Sequence, residues 1–121
     1  MRFASFFFAI CFVLFSFACN DSENKKLILG HWTGIEWLDN SGNAGYNAAD
    51  AAFTFGEDGR YTFSYQNTQE KGDYFISNSQ LYTTPDGGIK MMVRVTRLTQ
   101  DTMVFEMNRG GQPERLTLVR K

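Results

Sequence analysis

Residues 56–66 read GEDGRYTFSYQ, and their pattern decides the fold. Tyr61, Phe63 and Tyr65 alternate with Thr62 and Ser64, so an extended chain puts three aromatic rings on one face and two hydroxyls on the other. That period of two marks a strand with one buried and one wet face. Gly56, Glu57, Asp58 and Gly59 come just before it, and such residues tolerate positive φ or form Asx turns, the chemistry of a tight hairpin. The partner strand is then AAFTF, residues 51–55.

Outward from this hairpin the same grammar repeats. Candidate strands cover residues 31–38, 51–55, 60–66, 71–77, 80–84, 89–98, 102–108 and 115–120, divided by clusters rich in Gly, Asn and Asp. Short segments rich in Thr, Tyr, Phe, Val and Ile at this spacing indicate an antiparallel all-β domain, and no helical period of comparable length competes. Met103, Phe105 and Met107 share a face, as do Leu116 and Leu118, and Ile89, Met91, Val93 and Val95 occupy the odd positions of their strand. With short turns throughout, each strand pairs with the next. The expected architecture is an eight-stranded antiparallel up-and-down meander. Closure into a β-barrel is favoured, because open edges invite aggregation. An eight-stranded interior can be filled by side chains or hold one small ligand, and the sequence leaves both open.

The first strand, HWTGIEWL, breaks the alternation, since strict phase sets Trp32, Gly34 and Glu36 against Thr33, Ile35 and Trp37. A bulge or bend at Gly34 would bring Trp32, Ile35 and Trp37 all inward and leave Glu36 outside. Without it, Glu36 would be a carboxylate in an apolar interior in need of a partner. The one long connection follows, DNSGNAGYNAAD at residues 39–50, with Tyr46 its one large side chain. A loop of that length is a candidate lid, or a surface loop with an incidental tyrosine.

The N-terminus follows different rules. Arg2 is followed by an apolar run from Phe3 to Ala18, too short for a stable membrane span and typical of a secretion signal. Residues 1–18 therefore read as a signal peptide, and residues 19–26 as a new terminus with a polar tether. Cys11 would leave with the signal and Cys19 would become the first mature residue, so the mature domain has no disulfide. Ala18-Cys19 resembles the cleavage site of bacterial lipoproteins, although Ser16 stands where leucine is usual. That resemblance implies a diacylated Cys19, a membrane anchor and an outer-membrane location on the periplasmic or outer face. Asp21 and Glu23 resemble a surface-export signal. The alternative is an ordinary signal peptide cut near Ala18, leaving a soluble periplasmic protein. Residues 27–121 remain for one domain with one core.

Seven of the twelve phenylalanines lie in the signal. Without Arg2, eleven basic residues face thirteen acidic ones, and no basic patch suggests a nucleic-acid partner. His31 is the single histidine, so no histidine pair exists for a zinc site and nothing fixes an orienting acid or a nucleophile beside it. Glu57 and Asp58 are turn residues, while Arg94 and Arg97 suit a solvated outer face. No cofactor, metal site or catalytic group is expected, and an envelope hydrolase is the weakest of the readings.

Gly30-His31-Trp32 opens the first of the eight strands, followed by Asp58-Gly59-Arg60-Tyr61, Gly72-Asp73-Tyr74 and a last strand carrying Leu116 and Leu118. From Leu27 to the C-terminus this order resembles the lipocalin, or calycin, group, and most of all the short lipocalin-like domains of bacterial lipoproteins. The resemblance implies that Gly30 and Trp32 form the floor of a barrel, that residues 27–29 cover it as a helical turn, and that a basic residue of the last strand packs over Trp32. In a closed antiparallel barrel that residue is Arg120, with Lys121 second.

The expected function is binding of a small hydrophobic molecule by a monomeric, membrane-anchored barrel. Candidate lining residues are Trp37, Tyr46, Phe53, Phe55, Tyr61, Phe63, Tyr65, Phe75, Met91, Met103 and Phe105, with Trp37 near the open end. The alternative is a filled barrel serving as a protein-interaction module, of the inhibitor or immunity type.

Overall fold

The computed structural model describes residues 21–121, apart from the side chain of Arg109. The signal peptide of residues 1–18 and the candidate lipidation site Cys19 lie outside the described residues. Nine strands follow in order: β1 Gly30–Asp39, β2 Gly42–Asn43, β3 Ala51–Phe55, β4 Arg60–Tyr65, β5 Thr68–Ser77, β6 Gln80–Pro85, β7 Met91–Leu98, β8 Thr102–Arg109 and β9 Gln112–Arg120. β1 pairs with β3, each later strand pairs with the next, and β9 returns to β1, all antiparallel. The result is a closed barrel of eight strands, and the two-residue β2 is an added hairpin on β1. Closure satisfies the backbone groups that an open sheet would leave on two edges.

The alternation in residues 60–65 orders the core. Tyr61 is buried inside with Phe55, Ile76, Leu81, Val95, Met103, Phe105, Leu116 and Leu118. Apolar groups from all the long strands thus meet in one cluster.

The barrel has a closed end built from the start of β1 and the end of β9. Gly30 adopts φ of +115°, and a Cβ there would meet the Arg120 guanidinium at 2.7 Å, so both its conformation and its space call for glycine. Trp32 is fully buried and its Nε1 donates to the Ile28 carbonyl at 2.8 Å. Arg120 lies over the Trp32 ring, 4.3 Å from the centroid, and donates to the carbonyls of Leu27, Leu29 and Gln100. One guanidinium therefore ties the entry turn, the β7–β8 connection and the floor tryptophan together.

Residues 21–27 form a helix, α1, where the composition pointed to an irregular tether. Its acidic residues Asp21 and Glu23 precede Lys25 and Lys26, an order that suits the helix dipole. Asp21 also accepts a hydrogen bond from the backbone of Asn78 at 3.0 Å, and fully buried Ile28 fixes the exit of α1 under the barrel.

β1 carries its bulge between Gly34 and Glu36. The extra residue is Ile35, which turns outward at 59% exposure, whereas Trp32, Gly34 and Trp37 face inward. The expected inward Ile35 is therefore corrected: the bulge restores the phase of Trp37 by expelling Ile35 along with Glu36.

Candidate functional site

The open end is shaped by strands longer than their apolar pattern suggests. Tyr65 pairs directly with Thr68, a tight hairpin made possible by Gln66 at φ of 53°. β5 thus begins three residues before the expected Lys71, and its inward series is Glu70, Gly72, Tyr74 and Ile76. In the same way β9 begins at Gln112 rather than Arg115, and its inward series gains Glu114. Both extensions bring a carboxylate to the inner face of the barrel.

Between these elements lies a cavity of about 400 Å³. Its wall is apolar, with Trp37, Phe53, Phe63, Leu81, Phe105 and Leu116 at the sides and Met91, Val93 and Met107 towards the mouth. Tyr61, Glu70, Thr83 and Asn108 add the polar groups. The size and this mixture of many apolar groups with few polar ones are those of a small-molecule site. A larger depression of about 540 Å³ lies partly outside the barrel, among Asp39, Arg94, Glu106 and Arg115. It is open, and its charges already oppose one another, Arg115 meeting Glu106 at 3.5 Å.

Tyr61 and Glu70 form the polar centre of the inner cavity. The Tyr61 hydroxyl donates to Glu70 Oε2 at 2.6 Å. Burial pushes the Tyr61 pKa well above that of an ordinary phenol, the hydrogen bond and charge of Glu70 add to this, and Thr83 opposes it. The phenol keeps its proton and donates it in a hydrogen bond to the carboxylate beside it. Tyr74, whose hydroxyl donates to the Gly56 carbonyl at 2.8 Å, is raised in the same direction, chiefly by burial.

Trp37 joins the cavity wall to the long loop. Its ring stacks on Tyr46 at 4.5 Å and meets the edge of Tyr65 at 5.9 Å, while its Nε1 donates to Glu114 Oε1 at 2.9 Å. The Tyr65 hydroxyl accepts from the backbone of Asn47 at 3.2 Å. A 3₁₀ turn at Ala48–Asp50 ends the loop, and a Cβ on Gly34 would lie 2.2 Å from the Ala48 carbonyl oxygen. The absent side chain at Gly34 is the seat of the loop.

The candidate residues thus divide into groups. Trp37, Phe53, Tyr61, Phe63, Met91 and Phe105 line the cavity. Phe55 and Met103 are buried in the core nearer the floor, and Tyr46 and Tyr65 belong to the loop contact with Trp37. Phe75 is corrected: it lies outside the barrel at 48% exposure, stacked on Tyr82 at 4.6 Å, because Tyr74 and Ile76 take the inward positions of β5. Ile89, expected inside, precedes β7 and is 83% exposed. His31 is on the surface, with Nδ1 2.8 Å from the Thr54 hydroxyl. Among the described residues no three of His, Cys, Asp and Glu gather as metal ligands would.

A family model described as a lipocalin-like domain matches residues 28–105. The chain belongs to the lipocalin-like domain family. Among solved structures, a lipocalin-like protein from Bacteroides uniformis matches with a TM-score of 0.61 and 12% identity, covering 78% of this chain and 98% of its own. An uncharacterized protein from Bacteroides eggerthii matches with a TM-score of 0.59 and 14% identity, covering 77% and 98%. At such identities the likeness is one of fold. No curated protein matches the chain. The lipocalin-like match takes in the floor tryptophan, the long loop and most of the cavity wall, but ends before β9, which supplies Arg120, Leu116 and Glu114.

Proposed function

We propose that this lipocalin-like domain is a binding protein, not an enzyme, that holds a small, largely apolar molecule inside the barrel while Cys19 anchors it to the outer membrane. The observation that carries the reading is the cavity of about 400 Å³ behind Trp37. A filled barrel would have no such space, and the aromatic wall supplies apolar area for a ligand. The loop over Trp37 would act as its lid.

Native mass spectrometry of the purified protein and displacement of an apolar fluorescent probe test the pocket. Val93→Trp, which fills the cavity from its wall, is expected to abolish probe binding with the fold retained by circular dichroism. Unchanged binding to a folded variant would place the ligand elsewhere. For the anchor, Cys19→Ala is expected to abolish acyl labelling and membrane fractionation, and persistent labelling would remove Cys19 from that role.

The second reading, a protein-interaction module, rests on exposed apolar groups that do not line the cavity, Phe75 and Ile89. Under that reading Val93→Trp has no effect on function in cells, whereas charged substitutions at Phe75 and Ile89 remove it.

A further inference from the structure

Among the described side chains the cavity lining carries one charged group, Glu70, and no lysine or arginine. The ion pairs among the described residues join Arg60 to Asp73 and Asp86 and Arg115 to Glu106, all outside this site. Glu70 instead accepts the one proton that Tyr61 can donate, through a single oxygen. Its second oxygen has no hydrogen bond among the described residues. Resting on the ligand-binding reading above, we infer that Glu70 selects the ligand's polar end: the cavity takes an apolar molecule with a cationic or strongly hydrogen-bond-donating group, of the class of a primary amine, and rejects carboxylate lipids.

The surroundings of Glu70 favour the same charge. Its cross-strand neighbour is Phe63, and Phe53 lies against Phe63 with centroids 4.5 Å apart. Trp37 and Phe105 line the same space, and the face of an aromatic ring attracts a cation and gives nothing to an anion. A carboxylate head placed near Glu70 would meet a like charge where solvent screening is weak. An ammonium head would donate a charge-assisted hydrogen bond to the unused oxygen, and its alkyl chain would run along Leu81, Val93 and Met91 towards the mouth. Tyr61 has a positioning role: its hydrogen bond holds the Glu70 carboxylate in the cavity.

The test compares three probes with one chain and different heads, n-decylamine, n-decanol and n-decanoate, each displacing an apolar fluorophore from the mature protein near neutral pH. Decylamine is expected to bind about tenfold or more tighter than decanoate, as a charged hydrogen bond is worth, with decanol between them. Glu70→Gln should bring the three together, weakening decylamine most and strengthening decanoate. Tyr61→Phe should weaken the preference for the amine without abolishing it. Decanoate binding as tightly as decylamine to the wild-type protein would overturn the inference and leave the apolar site standing. Failure of all three to bind would overturn both readings. The wild-type comparison decides the matter even if the Glu70 variant does not fold.

Discussion

Trp32 and Trp37 lie on the same strand and both point inward, yet their surroundings differ in kind. Trp32 is fully buried, with its indole N–H bound to a main-chain carbonyl and a guanidinium over its ring. Trp37 is 6% exposed, with its N–H bound to the side chain of Glu114 and its ring covered by Tyr46 from a loop. The main-chain carbonyl of fully buried Ile28 cannot turn away without disturbing the core, whereas partly exposed side chains and a loop can change rotamer and return. The floor is built to hold, and the mouth can open at small cost.

Breaking the floor should give the largest effects. Trp32→Ala is expected to lower stability by about 3 to 5 kcal/mol in urea unfolding, the loss usual for a large buried aromatic. A loss near zero would remove Trp32 from its structural role. Arg120→Ala should cost about 2 to 3 kcal/mol, because three carbonyls lose a charged donor. Arg120→Lys should recover only a minor part: lysine keeps a charge near Trp32 but cannot span Leu27, Leu29 and Gln100 with one ammonium. Full recovery would mean that charge alone, not the forked geometry, secures the floor.

The two ends were also unequally legible in the sequence. Gly30 and Trp32 stand together at the start of a strand; the lipocalin resemblance implied a basic clamp over Trp32, and the opposite direction of β9 in a closed meander picked out Arg120 for it. The mouth hides its chemistry in strand extensions. Glu70 and Glu114 continue the inward phase of Tyr74 and Leu116, but residues 68–70 and 112–114 are polar, and a reading that follows apolar alternation stops short of them. Counting back by twos from Tyr74 would have reached Glu70. Phe75 misled for the related reason that hydrophobicity alone does not set phase, and Ile76 beside it took the core position. The contact of Trp37 with Glu114 joins residues 77 apart in the chain, beyond any local pattern.

At the mouth, Gly34→Ala sharpens the contrast. The new Cβ would sit against the Ala48 carbonyl, so the loop has to lift from β1. A cost of about 1 to 2 kcal/mol is expected, the lower part of the range for overpacking, because a loop yields more readily than a core. Trp37 should become accessible to acrylamide quenching while Trp32 stays protected. Equal quenching of both would show that the substitution disturbs the whole barrel and that the two ends are not independent.

Tyr46→Ala isolates the loop's grip on Trp37 with no added atoms. The stacked pair and its edge contact with Tyr65 are worth about 1 kcal/mol, so unfolding should shift only slightly. Rates should shift more, because a ligand behind Trp37 leaves past the loop. Dissociation of the fluorescent probe, followed by stopped flow, should accelerate severalfold, with association changing less. Unchanged dissociation would mean that the ligand leaves between Met91 and Met107, on the other side of the mouth, and that the loop braces Trp37 without gating the cavity.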